Sequence, residues 1–247
     1  MHNKIRERLE NGEVSIGSWL NMASPMAAEL MISAGYDWLA VDAEHGPVDL
    51  SLITDMFRAI ESKGGTPIVR VWDDQPQTIG RVLDAGAMGV VVPHVSTVEQ
   101  AQSIADSCRY PPRGRRSMGG GRARMTDDDY PNWANDEVVV IPQIEDREGI
   151  ENAEAIVSLE GIDIGFLGPS DLALDMNVEP GSEEHEAALQ SFLNACRKVN
   201  KPAGIPVNSG EAVRQRQAQG FVFFDLSSDV QFLKQEAARQ LEEAKGE

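Results

Sequence analysis

The chain has 247 residues, 41% hydrophobic and 25% charged, the proportions of an ordinary globular protein. Its formal net charge of −18, from 40 acidic and 22 basic residues, argues against a nucleic-acid partner, which needs a basic stripe for its phosphates. A small anionic substrate stays open, since a few arginines in a pocket reverse the local potential.

The opening segment MHNKIRERLENGE is charged and lacks an apolar h-region. No apolar run approaches the roughly 18 residues of a membrane span, so no membrane association is expected and the cytoplasm is the expected compartment. Taken in chain order, strands are expected at 15–20 (SIGSWL), 38–42 (WLAVD), 66–71 (TPIVRV), 89–94 (GVVVPH), 138–145 (VVVIPQIE), 163–168 (DIGFLG), 202–207 (PAGIPV) and 221–226 (FVFFDL). Between and after them, apolar residues recur every three or four positions, which predicts helices over 25–34, 50–62, 77–85, 98–108, 147–158, 183–199, 210–219 and 229–244. Near-continuous apolar strands point to a parallel sheet buried on both faces. Regular β/α alternation leaves a barrel or a doubly wound sheet. The count of eight favours a (β/α)8 TIM barrel, for which this length is typical, and leaves room for one catalytic domain over 1–247.

Gly35, Gly86, Gly161 and Gly220 each follow a helical segment and precede a strand, where a C-cap glycine belongs. Cys108 and Cys196 fall in helical segments. They read as two buried thiols, with a disulfide open on parity alone. The segment 109–136, RYPPRGRRSMGGGRARMTDDDYPNWAND, breaks the rhythm with six arginines between 109 and 124. A connection this long is usually a lid, a partner contact or a mobile segment. Because it follows a helix, its root belongs at the bottom of the barrel, unless it folds back or reaches a neighbouring subunit.

In such barrels the active site forms where the strands end. Asp42, with Glu44 and His45 just beyond, ends the second strand, and Arg70 ends the third. Pro93 and His94 end the fourth, Gln143-Ile144-Glu145 the fifth, and Gly168-Pro169-Ser170-Asp171 follows the sixth. Glu145 and Asp171 are hard oxygen ligands suited to Mg2+ or Mn2+; alternatively, Glu145 only favours the dipole of the helix it opens. The Gly168-Pro169-Ser170-Asp171 turn offers backbone N–H groups to a carboxylate. A carboxylate on one His45 ring nitrogen leaves the other free as acid or base, or Asp42 and His45 only tie down the turn. Arg70 at a buried strand end needs an anionic partner, either a substrate carboxylate or enolate or one of Asp42 and Glu44. His94 is a third ligand or a pocket residue, and Trp19 is pocket wall or core. None of Lys4, Lys63, Lys198, Lys201, Lys234 and Lys245 falls on the expected barrel interior, which argues against a Schiff-base mechanism.

These blocks, in this order, resemble the HpcH/HpaI family of class II pyruvate aldolases. The resemblance rests on AAELMISAGYDWLAVDAEHGP (27–47), the Arg70 strand, VVPHVSTVEQAQ (91–102), RYPPRGRR (109–116), PQIEDREGIENAEAI (142–156) and GIDIGFLGPSDLALDMN (161–177). It implies a divalent metal (Mg2+, Mn2+ or Co2+) held by Glu145 and Asp171. Pyruvate would bind with its carboxylate on the amides near Ser170 and Asp171, with Gln143 beside the metal and Arg70 on the enolate. His45, oriented by Asp42 and working through a water, would take the proton of the 4-hydroxyl group. It also implies a hexamer with exchanged C-terminal helices. The sequence departs from the family at His94, where methionine is common, and after Arg116, where glycine is common.

The resulting expectation is a lyase that cleaves 4-hydroxy-2-oxo acids reversibly to pyruvate and an aldehyde. The substrate pocket is expected from Trp19, Arg70, Gln143, Gly168, Ser170 and Asp171. Two alternatives stand beside it. One is a citrate-lyase β-like enzyme acting on acyl-CoA thioesters, whose nucleotide would need the arginines of 109–124. The other is a non-catalytic metal-site protein.

Overall fold

A computed structural model describes residues 3–246. Eight parallel strands close into a barrel in chain order. They are β1 (Ser15–Leu20), β2 (Trp38–Asp42), β3 (Thr66–Arg70), β4 (Gly89–Val92), β5 (Val139–Ile144), β6 (Gly165–Leu167), β7 (Ala203–Val207) and β8 (Phe223–Ser228). Among the described residues the helices are α1 (Lys4–Glu10), α2 (Pro25–Ser33), α3 (Leu50–Ser62), α4 (Pro76–Ala85), α5 (Val98–Cys108), α6 (Arg122–Thr126), α7 (Tyr130–Glu137), α8 (Arg147–Ser158), α9 (Pro169–Met176), α10 (Glu183–Lys198), α11 (Gly210–Gln219) and α12 (Asp229–Lys245). The TIM barrel expected from the strand count is present, and no helix among the described residues is long and apolar enough to cross a membrane.

Alternation along each strand separates two cores. Inward residues such as Trp38, Ala40, Ile68, Val91, Ile141, Phe166 and Phe223 fill the barrel. Outward ones, including Leu39, Val41, Val69, Val90 and Ile205, join the helices in a larger cluster. Trp38 stacks on Phe223 with centroids 4.5 Å apart. Only glycine fits opposite, because a Cβ on Gly17 would stand 1.9 Å from the Trp38 ring. Helix α1, absent from the sequence expectations, closes the N-terminal end. Ile5 joins the interior cluster, and Asn3 Nδ2 donates to the Met88 carbonyl at 2.8 Å.

The four glycines assigned to helix ends all take positive φ, from 91° at Gly161 to 116° at Gly86. Cys108 and Cys196 are free and buried, and burial pushes both thiols up to about 12. Segment 109–136 is more ordered than its composition suggests and carries α6 and α7. It lies under the barrel. Arg109 pairs with Asp163 at 2.8 Å, Arg116 with Asp84 at 2.9 Å, and Arg122 with Glu61. Arg113 and Arg115 pair with Asp136 and Asp106. These carboxylates precede strands or end helices, so the segment buttresses the face opposite the strand ends.

Candidate active site

At the C-terminal ends of the strands the inward positions turn from apolar to polar. Asp42 and Arg70 are register partners on β2 and β3, so their side chains rise at the same level. Arg70 donates to both Asp42 oxygens, Nε to Oδ1 at 2.9 Å and Nη2 to Oδ2 at 2.7 Å. Its Nε also lies 3.2 Å from Glu44, and the guanidinium sits 4.6 Å over the Trp19 ring. Burial works against the Arg70 charge, but Asp42, Glu44 and Glu145 outweigh it and hold the pKa above the ordinary arginine value. Such a fork-on-carboxylate arrangement fixes the cation while leaving its outer face for an anion.

The expected orientation of the His45 ring by Asp42 is not what the structure shows. The Asp42 carboxylate accepts from Arg70, from Asn21 Nδ2 at 2.6 Å and from the His45 backbone N–H at 3.3 Å. The His45 ring lies on the rim, with Nε2 3.7 Å from Glu44. The physical reason is register: Arg70 stands directly across the β2–β3 pair, while the turn carries His45 outward. Gly46 closes that turn, since a Cβ there would lie 2.1 Å from the Asp42 carbonyl oxygen. Asp42 therefore holds the turn and Arg70, and Glu44 is the carboxylate nearest the imidazole.

Glu145, just beyond β5, is 3% exposed. One oxygen accepts from the His94 N–H at 2.8 Å and the other from Gln143 Nε2 at 2.5 Å. The His94 ring spans two carboxylates, Nδ1 lying 3.2 Å from Glu145 and Nε2 3.1 Å from Glu44. To do so His94 adopts a left-handed φ of 55°, strain of the kind that concentrates at functional positions. Burial pushes the Glu145 carboxyl up, Gln143 and His94 pull it down, and the charge of Asp171 pushes it up again. Gly168 lets β6 end against this group, because a Cβ there would lie 2.3 Å from Glu145 Oε2.

Asp171 sits in the first turn of α9, a helix with no side-chain cap. The Ser170 and Asp171 N–H groups therefore lack helical partners and form a seat for an anion. The Pro169 carbonyl lies 2.8 Å from His185 Nε2. The other His185 ring nitrogen accepts from Gly181 N–H at 3.0 Å, so Nε2 carries the proton and donates to Pro169.

A cavity of about 240 Å3 opens among these strand ends. All six residues expected to bind substrate, Trp19, Arg70, Gln143, Gly168, Ser170 and Asp171, line it. Glu145 stands behind Gln143 and Gly168, and His45 stands on the rim. No lysine lines the cavity, in keeping with the argument against a Schiff base. Asn21, Asn208, Asp225, Ser227 and Gln231 also line it and were missed. The one signal for them was Asp225, a lone carboxylate inside the apolar run FVFFDL.

Among the described residues, no three His, Cys, Asp or Glu side chains cluster as a metal site. The donor set nevertheless fits a hard divalent cation. The charge of exposed Asp171 works against that of buried Glu145, and Arg70, the one arginine or lysine among the described residues that line the cavity, is committed to Asp42. Gln143 Oε1 is buried with no hydrogen-bond partner, a third oxygen open to a cation or its water.

Comparisons with known proteins identify relatives of this chain. The family model described as HpcH/HpaI aldolase/citrate lyase matches residues 15–235. A "Hydroxypyruvate/pyruvate aldolase" of Pseudomonas aeruginosa is 35% identical over 94% of this chain and 88% of its own. A "4-hydroxy-2-oxo-heptane-1,7-dioate aldolase" of Salmonella dublin is 35% identical over 94% and 91%. The crystal structure of an HpcH/HpaI aldolase/citrate lyase family protein from Burkholderia cenocepacia J2315 superposes with a TM-score of 0.94 at 32% identity, covering 98% of this chain and 99% of that one.

Proposed function

Given that the chain belongs to the HpcH/HpaI aldolase/citrate lyase family, we propose that it is a metal-dependent lyase that cleaves 4-hydroxy-2-oxo acids reversibly to pyruvate and an aldehyde. The observation that carries this reading is the pairing of Glu145 and Asp171 beside a cavity that also holds Arg70 and the open start of α9. Glu145 and Asp171 would hold the divalent ion, with Gln143 beside them; its contribution when bound is Lewis-acid polarisation of the 2-oxo group and orientation of the substrate.

The chain's own groups supply the rest. The N–H groups of Ser170 and Asp171 seat the substrate carboxylate. As the C3–C4 bond breaks, its electron pair moves toward the 2-oxo oxygen, where Arg70 stabilises the growing negative charge. The 4-hydroxyl proton leaves as the aldehyde forms, and His45 is its acceptor, directly or through a water. Glu44, 3.7 Å from that imidazole, stabilises the imidazolium. Return of that proton from the His45 imidazolium to C3, directly or through the water, then yields pyruvate and restores the neutral imidazole. Trp19, edge-on to Phe166 at 5.9 Å, walls the cavity against solvent.

No comparable support exists for the thioester reading. Five of the six arginines a nucleotide would need, Arg109, Arg113, Arg115, Arg116 and Arg122, are paired with carboxylates under the barrel, away from the strand ends. The whole chain is read as one cytoplasmic catalytic domain. We also infer a homo-oligomer, a hexamer by family resemblance, in which α12 packs on a second copy. From Gln231 to Gly246 every residue is exposed, including Phe232, Leu233 and Leu241, while Met26 and Leu30 of α2 lie open at 73% and 66%.

The deciding experiment is pyruvate release from a panel of 4-hydroxy-2-oxo acids, after EDTA and after restoring Mg2+, Mn2+ or Co2+. Release should vanish with chelator and return with metal. A folded, metal-loaded protein that releases no pyruvate from any member would sink the reading.

A further inference from the structure

The wall of the cavity formed by the end of β8 is polar, and the chemistry above gives it nothing to do. Asp225 points inward from β8 and is 2% exposed. Its Oδ1 accepts from the Trp19 N–H at 3.0 Å, at the point where the β1–β8 register shifts. Among the described residues Oδ2 makes no hydrogen bond, although the residue lines the cavity. Ser227, two positions on, also lines it, with its hydroxyl buried and unpartnered and its backbone at a φ of 61°. Buried polar groups without partners cost stability in the empty protein and are expected to find partners in a ligand.

Resting on the aldolase reading above, we propose that Asp225, with Ser227, is a specificity-determining residue that hydrogen-bonds a hydroxyl on the carbon chain of the substrate, so that this enzyme prefers hydroxylated reactants to their deoxy counterparts. A hydroxyl both donates and accepts, so it can satisfy a carboxyl oxygen and the serine hydroxyl together. An aliphatic chain would leave both groups unpaired, which is how a site built for a hydroxyl rejects the analogue lacking it. A second substrate carboxylate at this wall would face the Asp225 oxygens. The alternative role for Asp225, pinning the Trp19 backbone, uses Oδ1 and leaves Oδ2 unexplained.

The hydroxyl has two possible sources, the 2-oxo-acid donor and the aldehyde acceptor, and the test separates them. With metal-loaded full-length enzyme, donor activation is read as solvent deuterium exchange at C3 of pyruvate against hydroxypyruvate, with no aldehyde present. Acceptor use is read as aldol formation with propanal against glyceraldehyde. In one arm the wild type should prefer the hydroxylated partner on the order of 10- to 100-fold in kcat/KM. Asp225→Ala should bring that ratio close to one, while Asp225→Asn, which keeps an oxygen at the same place, should retain most of it. Equal use of both partners in both arms by an active wild type overturns the proposal while leaving the aldolase reading intact. So does a parallel fall for every substrate in Asp225→Ala, which would mark a purely structural role. A wild type that neither exchanges nor condenses any substrate defeats the aldolase reading itself.

Discussion

Arg70 grips Asp42 through both carboxylate oxygens, at 2.9 and 2.7 Å, across directly paired positions of β2 and β3. Lysine cannot reproduce this fork or the stacking on Trp19. Arg70→Lys should therefore lower kcat/KM by about 100- to 1000-fold, chiefly in kcat, because the lost interaction acts on developing charge. It should also lower stability by about 1–3 kcal/mol in urea unfolding, since Asp42 is left with an incompletely paired buried charge. A variant with normal kcat would remove Arg70 from the chemistry.

Glu145→Gln keeps the shape of the side chain and its contact with the His94 N–H while removing one of the two carboxylates proposed to hold the metal. Divalent binding, followed by Mn2+ titration calorimetry, should weaken at least about 100-fold, because hard-cation affinity follows ligand charge. The apo protein should be no less stable than wild type, as the repulsion from Asp171 is relieved. Unchanged Mn2+ affinity would place the metal elsewhere.

Burial pushes the Asp225 carboxyl well above its ordinary value near 3.8, and the charge of Asp42 adds to this, against the Trp19 N–H and the charge of Arg70. A raised pKa means that the folded state binds this proton more tightly than the unfolded chain does. The stabilising contribution is full below the unfolded value and is lost as pH rises through the folded one. Relative to Asp225→Asn, wild-type stability should decline as pH rises above about 4, then level off. The opposite slope would mean an ionised Asp225 held by Arg70.

Asp163 gathers Arg6 at 2.7 Å, Arg109 at 2.8 Å and the Val140 N–H at 2.8 Å under the barrel. Arg109→Ala strips this node of a 2%-exposed arginine and should cost about 3 kcal/mol, as expected when one partner of a buried pair is removed. Steady-state kinetics of the folded fraction should stay within a few-fold of wild type, since the node lies at the far end of the strands. A selective loss of turnover would assign segment 109–136 a catalytic role.

Removing residues 231–247 deletes the exposed part of α12 and spares the barrel strands. Light scattering should then report a smaller species than the full chain, because the apolar surface of Phe232, Leu233 and Leu241 no longer bridges copies. An unchanged mass would show that α12 does not join subunits.

Much of this protein was legible one segment at a time. Runs such as WLAVD and VVVIP name themselves as strands because inward and outward positions are both buried. The three- and four-residue spacing of Ile53, Met56, Phe57 and Ile60, all fully buried on α3, marks a helix face. Asp42, Arg70, Glu145 and Asp171 could be placed on one rim from strand ends alone, because parallel strands all finish on the same side. Partners were a different matter. A local spacing of three residues suggested that Asp42 serves the His45 ring, yet barrel closure sets β2 against β3 and delivers Asp42 to Arg70. The same closure brings His94 between Glu44 and Glu145, and turns five of the six arginines of 109–124 onto carboxylates from four helices and the residues just before β6. It also aims Asp225 of the last strand into the cavity beside Trp19 of the first. Sequence patterns within a few residues determine which face a side chain occupies. Which distant side chain it meets there is decided by inter-strand register and by closure of the sheet.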